Sequence, residues 1–387
     1  MSNRKRILSL ILSIVLFFGT LSASVYSTDR EGDEGQIDLS EVKSALLMDA
    51  GSGTVLYEYN ADLRLPPASI TKIMTLLLVM EEVDGGRLRL DEKIAASPTA
   101  AHMGGSQIYL EPGEELTAEE LIKSVVVASA NDAAAALAER VGGTLENFVS
   151  QMNTRAKQLG MENTHFENTN GLDDTTTDHL TTAMDIALMS RELIKHRKIL
   201  EYTTIWMDTV RNGAFGLTNT NKLIRFYKGA NGLKTGSTSK AGFCISATAE
   251  RGGLCLIAVI MGAPTSSARN AAASKLLDYG FASYENYRFP GDTAVIPVTG
   301  GKSVTVEAGA GEFDLLLKKG QTPKITLSKF LPESLGAPVK EGERVGELKL
   351  SLEGKELAQI PYVALQNVER LSFFDVVLKL LGACALF

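Results

Sequence analysis

The sequence predicts an α+β fold, followed by a small all-β domain and a terminal amphipathic helix. Three observations carry that prediction. Strand-like segments lie at 42–59 and again at 232–262, with helical segments between them, the arrangement expected when strands from distant parts of a chain share one sheet. From Thr293 onward the texture changes to short β-patterned runs separated by glycine turns. At the end of the chain, Ser372, Asp375, Lys379 and Gly382 recur at spacings of three, four and three, which puts them on one narrow arc of an otherwise apolar helix. The expected limits are a leader segment at 1–28, the α+β domain at 29–290, a β domain at 291–370 and the helix at 371–387.

The N-terminus reads as an export signal. Arg4, Lys5 and Arg6 precede an apolar run at 7–19, with small residues Ser22, Ala23 and Ser24 after it. The body of the protein is therefore expected outside the cytoplasm. A net charge of −7 supplies no basic surplus for phosphates, so nucleic acid is not expected as a partner.

The elements follow in order. Alternating apolar residues around Asp49-Ala-Gly-Ser-Gly53 predict two strands and a tight turn at a sheet edge. Pro66-Pro67 breaks the chain, and 70–83 is an almost wholly apolar helical run, which should be buried on all sides. Thr117-Ala-Glu-Glu120 has capping-box form and opens a helix at 121–128. Further helices are expected at 132–141, closed by Gly142-Gly143, at 145–159, at 183–196 and at 268–281. The Asn-, Thr- and Asp-rich stretch 162–179 reads as a long surface loop, a kind of segment that often carries function.

Cys244 and Cys255 fall in a hairpin, 242–249 and 254–262. A four-residue turn at 250–253 would pair Ala249 with Leu254 and put Cys255 opposite Thr248. Cys244 then lies ~13 Å along the strand, too far for a disulfide. Both are expected as small buried hydrophobes and Cys384 as part of the apolar tail. The four histidines, His102, His165, His179 and His196, sit in polar or loop contexts and read as surface residues. They have no metal-ligand spacing, and neither a metal nor a cofactor is expected.

Three short segments carry chemistry. Ser69-Ile-Thr-Lys72 puts a lysine one helical turn from a serine at the mouth of the buried helix, where free backbone N–H groups favour a developing oxyanion. A serine needs a base beside it, and a lysine serves when burial and nearby positive charge lower its pKa. Alone, Ser69 reads equally as a helix cap, and the Ser-x-x-Lys pattern also occurs at Ser2, Ser40 and Ser237. Ser129-Ala-Asn131 is the chain's sole Ser-x-Asn and falls in the break between two helices. Ser129 could relay a proton, and Asn131 could bind a substrate carbonyl or Lys72. Lys234-Thr-Gly236 lies on a strand. There Lys234 can hold an anionic terminus, Gly236 lets a substrate backbone approach, and the Ser237 N–H can join that of Ser69 as an oxyanion donor.

These residues resemble a family: the serine D-alanyl-D-alanine carboxypeptidases, or low-molecular-weight penicillin-binding proteins. The resemblance runs through Pro67-Ala-Ser-Ile-Thr-Lys-Ile-Met-Thr75, Ser129-Ala-Asn-Asp132, Phe166-Glu-Asn-Thr-Asn-Gly-Leu172 and Gly232-Leu-Lys-Thr-Gly-Ser-Thr238. It implies a transpeptidase/β-lactamase-like catalytic domain, with the β domain and the tail also in the family's manner. It further implies Ser69 as nucleophile, Lys72 as base, Ser129 as relay, Lys234 with Thr235 at the substrate carboxylate, and Arg269 assisting there. The implied partners are peptidoglycan stem peptides ending in D-Ala-D-Ala, β-lactams as covalent inhibitors, and a membrane surface for the tail. Ser237 stands where some members carry His. The class A β-lactamases share the three motifs but add a deacylating glutamate. Glu167-Asn-Thr-Asn170 spaces Glu and Asn by three where that class has four. A noncatalytic wall-binding protein would be expected to have lost Ser69, Lys72, Ser129 or Lys234.

Overall fold

The computed structural model describes residues 37–384, so the expected signal segment at 1–28 lies outside the described residues. Five antiparallel strands form the main sheet: β1 (Ser44–Asp49), β2 (Val55–Tyr59), β3 (Ala230–Thr238), β4 (Gly242–Arg251) and β5 (Leu254–Ala263). Their order is β2-β1-β5-β4-β3, so β2 is an edge as expected, and the chain-distant β1 and β5 pair with Ala45 opposite Ile260. The opposite edge is β3, which carries Lys234-Thr-Gly236. The Asp49 carboxylate makes the β1–β2 turn, accepting from the Ser52 N–H at 2.8 Å and its hydroxyl at 2.6 Å.

The β4–β5 hairpin departs from expectation. Glu250 pairs with Cys255 and Arg251 with Leu254, leaving a two-residue turn, Gly252-Gly253, with φ of 56° and 81°. Two positive φ values define the turn whose twist matches the flanking strands, and glycine supplies them without strain. Cys255 therefore lies opposite Glu250 instead of Thr248. Because the displacement is two residues, each side chain keeps its face. Both cysteines are free; Cys244 is buried, whereas Cys255 is only partly so.

The helices pack beside this sheet. A short 3₁₀ turn, Ala68–Thr71, leads into α1 (Lys72–Asp84), in which every residue from 72 to 80 is buried. The capping box holds: the Thr117 hydroxyl takes the Glu120 N–H and the Glu120 carboxylate takes the Thr117 N–H, opening α2 (Ala118–Val127). After a three-residue break come α3 (Asn131–Gly142), α4 (Leu145–Gln158), α5 (Ala183–Leu193) and α6 (Ser266–Ser283). Helix α1 is wedged between α3 and α5, which is why Thr75 is its sole polar residue from Ile73 to Met80, the polar Glu81, Glu82 and Asp84 falling in its less buried last turn. Two short ribbons, Lys93–Ala95 with Glu115–Thr117 and Met207–Val210 with Phe215–Thr218, escaped the sequence reading. Strands of three or four residues are too short to show a period of two.

A second sheet, of six strands, forms downstream: β6 (Asp292–Thr299), β7 (Thr305–Ala310), β8 (Ile325–Phe330), β9 (Leu335–Gly336), β10 (Arg344–Leu352) and β11 (Lys355–Ala364). It has its own core, including Ile296, Val306, Leu348, Leu350 and Tyr362. Helix α7 (Phe373–Cys384) ends the described residues, with Phe373, Phe374, Val376 and Leu378 exposed. No helix among the described residues is long and apolar enough to cross a membrane.

Candidate active site

The nucleophile turn is set by its neighbours. Ala68, directly before Ser69, has φ 48° and opens the 3₁₀ turn, which stacks residue i over residue i+3. Ser69 and Lys72 are thereby brought into register by a tighter device than the α-helical turn expected. Lys72 Nζ donates to Ser69 Oγ at 2.9 Å and to the Asn170 carbonyl at 3.0 Å.

Lys234 lies across from this pair. Its Nζ donates to Ser129 Oγ at 2.9 Å and to the Thr235 carbonyl at 2.9 Å, and it is buried. Ser129 occupies the break between α2 and α3 with φ 62°. Lys72 makes no hydrogen bond to Ser129 or Asn131 among the described residues, so the expected relay is divided into a Ser69–Lys72 half and a Ser129–Lys234 half. Asn131 Nδ2 donates to the Gly104 carbonyl at 2.6 Å, while its buried Oδ1 has no hydrogen-bond partner among the described residues. Thr235 Oγ1 donates to Thr220 Oγ1 at 2.7 Å, and Ser237 is exposed next along the strand. Gly236 is where β3 meets the nucleophile turn: a Cβ there would sit 2.7 Å from the Ser69 nitrogen. Glycine is required because backbone approaches backbone.

Charge is concentrated here. Lys72, Lys234 and Arg269 are all buried, and Arg269 donates to Asn270 Oδ1 from the first turn of α6. Burial, then the Lys234 ammonium, hold Lys72 well below its ordinary value, with Asp132 opposing. Burial, then Arg269, bring Lys234 down to about 7. Burial lowers Arg269 to about 10. The buried Asp132 carboxylate is occupied with the N–H groups of Ile108, Leu110 and Ala133. A site with this cationic excess is built to receive an anion, which would restore the charge on Lys234.

Nearby, the Glu167 carboxylate accepts from the Thr177 and Asp178 N–H groups, within its own loop. The group facing Lys72 from that loop is a backbone carbonyl, that of Asn170.

A family description, D-alanyl-D-alanine carboxypeptidase, matches residues 33–265, and a second, the C-terminal domain of penicillin-binding protein 5, matches residues 289–370. The chain belongs to the D-alanyl-D-alanine carboxypeptidase family. It is 39% identical to a D-alanyl-D-alanine carboxypeptidase of Bacillus subtilis over 386 residues, 98% of either chain. Penicillin-binding protein 5 of Haemophilus influenzae is similar in structure, with a TM-score of 0.72 and 28% identity over 88% of this chain and all of that one. Penicillin-binding protein D2 of Listeria monocytogenes, solved in its ampicillin-bound form, has a TM-score of 0.57 and 36% identity over 62% of this chain and 98% of that one. The activity is that of a serine-type D-alanyl-D-alanine carboxypeptidase.

In this carboxypeptidase the 162–179 stretch contributes to the site in a way its composition does not show. It is irregular, as expected, but Thr169, Asn170, Asp173 and His179 are buried. Thr75 Oγ1 donates to the Thr169 carbonyl at 2.6 Å, and Thr238 Oγ1 to Asp173 at 2.5 Å, so one loop joins α1 to the end of β3. Backbone acceptors leave no mark in composition.

His179 is likewise not a surface residue. It is 3% exposed; its Nδ1 accepts the Glu167 N–H at 3.0 Å and its Nε2 lies 2.8 Å from Thr71 Oγ1. Burial lowers its pKa from 6.5 to about 4, with Glu167 and Asp173 opposing and His165 assisting. The folded pKa lies below the unfolded one, so the contribution is complete above about pH 6.5 and is lost as pH falls toward 4. That shift corresponds to on the order of 3 kcal/mol. Urea titrations of wild type and His179→Gln at pH 7 and 4 should show a stability gap that closes by about that amount on acidification. A gap independent of pH would remove His179 from the acid sensitivity.

Proposed function

We propose that this enzyme removes the terminal D-alanine from peptidoglycan stem peptides through an ester on Ser69. Ser69 Oγ attacks the carbonyl of the penultimate D-alanine while its proton passes to the Lys72 amine. The C–N bond to the last D-alanine then breaks, and its nitrogen takes a proton from the Ser129 hydroxyl, which Lys234 replenishes; the water that hydrolyses the ester gives that proton back, while Lys72 returns its own to Ser69 Oγ. Water hydrolyses the ester and regenerates Ser69. The substrate carboxylate is held by Lys234 and Thr235 with help from Arg269; Asn131 and Gly236 receive its backbone; the N–H groups of Ser69 and Ser237 face the oxyanion.

The observation that carries this reading is the depressed, buried Lys72 amine 2.9 Å from a serine hydroxyl, with Lys234 and Arg269 buried in the same site and the Asp132 carboxylate satisfied internally. β-Lactams would acylate the same oxygen. The occupied Glu167 carboxylate weighs against rapid hydrolysis of the drug. The expected setting is the outer face of the cytoplasmic membrane, with residues 29–290 as the catalytic unit, 291–370 as the β domain and 371–387 on the lipid surface; the exposed phenylalanines of α7 support that last assignment.

The test compares the mature chain, beginning at residue 29, with a version ending at Leu371. Both should release D-alanine from a D-Ala-D-Ala peptide and carry a penicillin adduct on the Ser69 peptide by mass spectrometry. Only the longer should sediment with anionic phospholipid vesicles. An unmodified Ser69 would overturn the acyl-enzyme route, fast drug turnover would favour a β-lactamase, and equal sedimentation would overturn the tail's role.

A further inference from the structure

The loop that presses on the nucleophile turn contains a hydrogen-bonded chain that the proposed reaction does not yet use. The Glu167 N–H occupies His179 Nδ1, at 3.0 Å, so the neutral ring carries its proton on Nε2. That proton faces Thr71 Oγ1 at 2.8 Å, and the Thr71 hydroxyl in turn donates to the Ala68 carbonyl at 2.9 Å. His179 and Thr71 are both buried, and Phe166 packs edge-on against the imidazole with ring centroids 5.7 Å apart. The chain is thus fixed at the loop end by a ring and at the other end by a carbonyl.

That carbonyl belongs to the peptide unit joining Ala68 to Ser69. A trans peptide is planar, and its C=O and N–H point in opposite directions. Whatever fixes the Ala68 oxygen therefore also aims the Ser69 N–H. Gly236 shows where that N–H lies, since a Cβ on Gly236 would meet the Ser69 nitrogen at 2.7 Å, at the edge where a substrate backbone would be received. Ala68 has a left-handed φ of 48°, a conformation that costs an alanine stability and must be held by its surroundings.

We propose that His179 and Thr71 are positioning residues, which set the tilt of the Ala68–Ser69 peptide plane and so aim the Ser69 N–H at the acyl oxygen. Neither touches the substrate. The proposal rests on the acyl-transfer reading of Ser69 and adds to it the device that preorganises one oxyanion donor. Because the donor matters only when charge develops on the acyl oxygen, disturbing it should lower kcat and leave KM nearly unchanged.

The test uses Thr71→Val, which keeps shape and removes the hydroxyl, with Thr71→Ser as the restoring variant. His179→Asn and His179→Gln form a second pair, since the longer amide reaches the Nε2 position and the shorter one stops near Nδ1. Turnover of a D-Ala-D-Ala peptide and the rate of penicillin acylation are measured alongside thermal unfolding. Thr71→Val and His179→Asn should each lower kcat about tenfold to a hundredfold at nearly constant KM, less than complete loss of an oxyanion donor. Thr71→Ser and His179→Gln should recover most of that loss. The double variant Thr71→Val with His179→Asn should be little slower than either single one, because both cut the same chain. A Thr71→Val enzyme within twofold of wild type, serine and valine equally slow in folded proteins, or additive losses in the double variant would each overturn the proposal. A wild-type protein that neither releases D-alanine nor takes up penicillin would instead overturn the acyl-transfer reading beneath it.

Discussion

Lys72→Arg should reduce penicillin acylation of Ser69 by about 10³-fold, within the range of about 10² to 10⁴ that general-base catalysis contributes. The substitution keeps the positive charge and the donors but removes the ability to be neutral, because a guanidinium does not lose its proton under working conditions. In the wild type, the Lys72 amine is 2.9 Å from Ser69 Oγ, and its pKa is depressed first by burial and then by Lys234. The sign of the pH dependence follows. The base must be unprotonated, so kcat/KM should fall on the acid side as Lys72 gains its proton, at a pH well below that of an ordinary lysine. Stopped-flow acylation at several pH values, with circular dichroism to establish folding, measures both effects. An Lys72→Arg enzyme acylated within tenfold of the wild-type rate would assign the base elsewhere.

The parts of this enzyme that were legible in its sequence are those in which a side chain does the work over a short span. The capping box at Thr117 and Glu120 is one, and the apolar run of α1 from Ile73 to Met80, broken only by Thr75, is another. Ser69 and Lys72 are three residues apart, so any helical turn brings them together. The pairing of Ser129 with Lys234 bridges 105 residues and was legible only as a set of motifs in order; its hydrogen bond was not. The same limit hid the Asn170 carbonyl, because an acceptor every residue carries cannot distinguish one position. His179 was misplaced for a related reason. Its neighbours Asp178 and Thr177 are polar, and local polarity predicts exposure, whereas the ring is buried by contacts with Thr71 from outside its own stretch and with Phe166 from the far end of that stretch. The hairpin register failed on turn chemistry, where two consecutive glycines made a shorter turn than the four residues allotted to it.

The second large effect concerns the contact between that buried loop and the nucleophile turn. Gly171 has φ 86°, and a Cβ built on it would lie 1.8 Å from the Ala68 oxygen, 2.3 Å from the Ala68 carbonyl carbon and 2.8 Å from Thr71 Oγ1. Two of those three atoms are backbone, so no rotamer change relieves the collision. The loop is not free to retreat either, since Asn168 Oδ1 accepts the Gly171 N–H at 2.7 Å and Lys72 holds the Asn170 carbonyl. Gly171→Ala therefore combines the left-handed penalty of about 1 to 2 kcal/mol with overpacking of about 1 to 3 kcal/mol, for a loss of about 4 kcal/mol. Tm should fall by about 5 to 7 °C, and acylation should slow even well below the new Tm, because relief of the clash moves either Lys72's acceptor or the Ala68–Ser69 peptide. Gly86→Ala provides the comparison: its φ is 70°, but a Cβ there meets nothing within 4 Å, so only the conformational penalty remains and the site is untouched. If both variants lose the same small amount and acylate normally, the contact between loop and nucleophile turn is not what holds Ser69 in place.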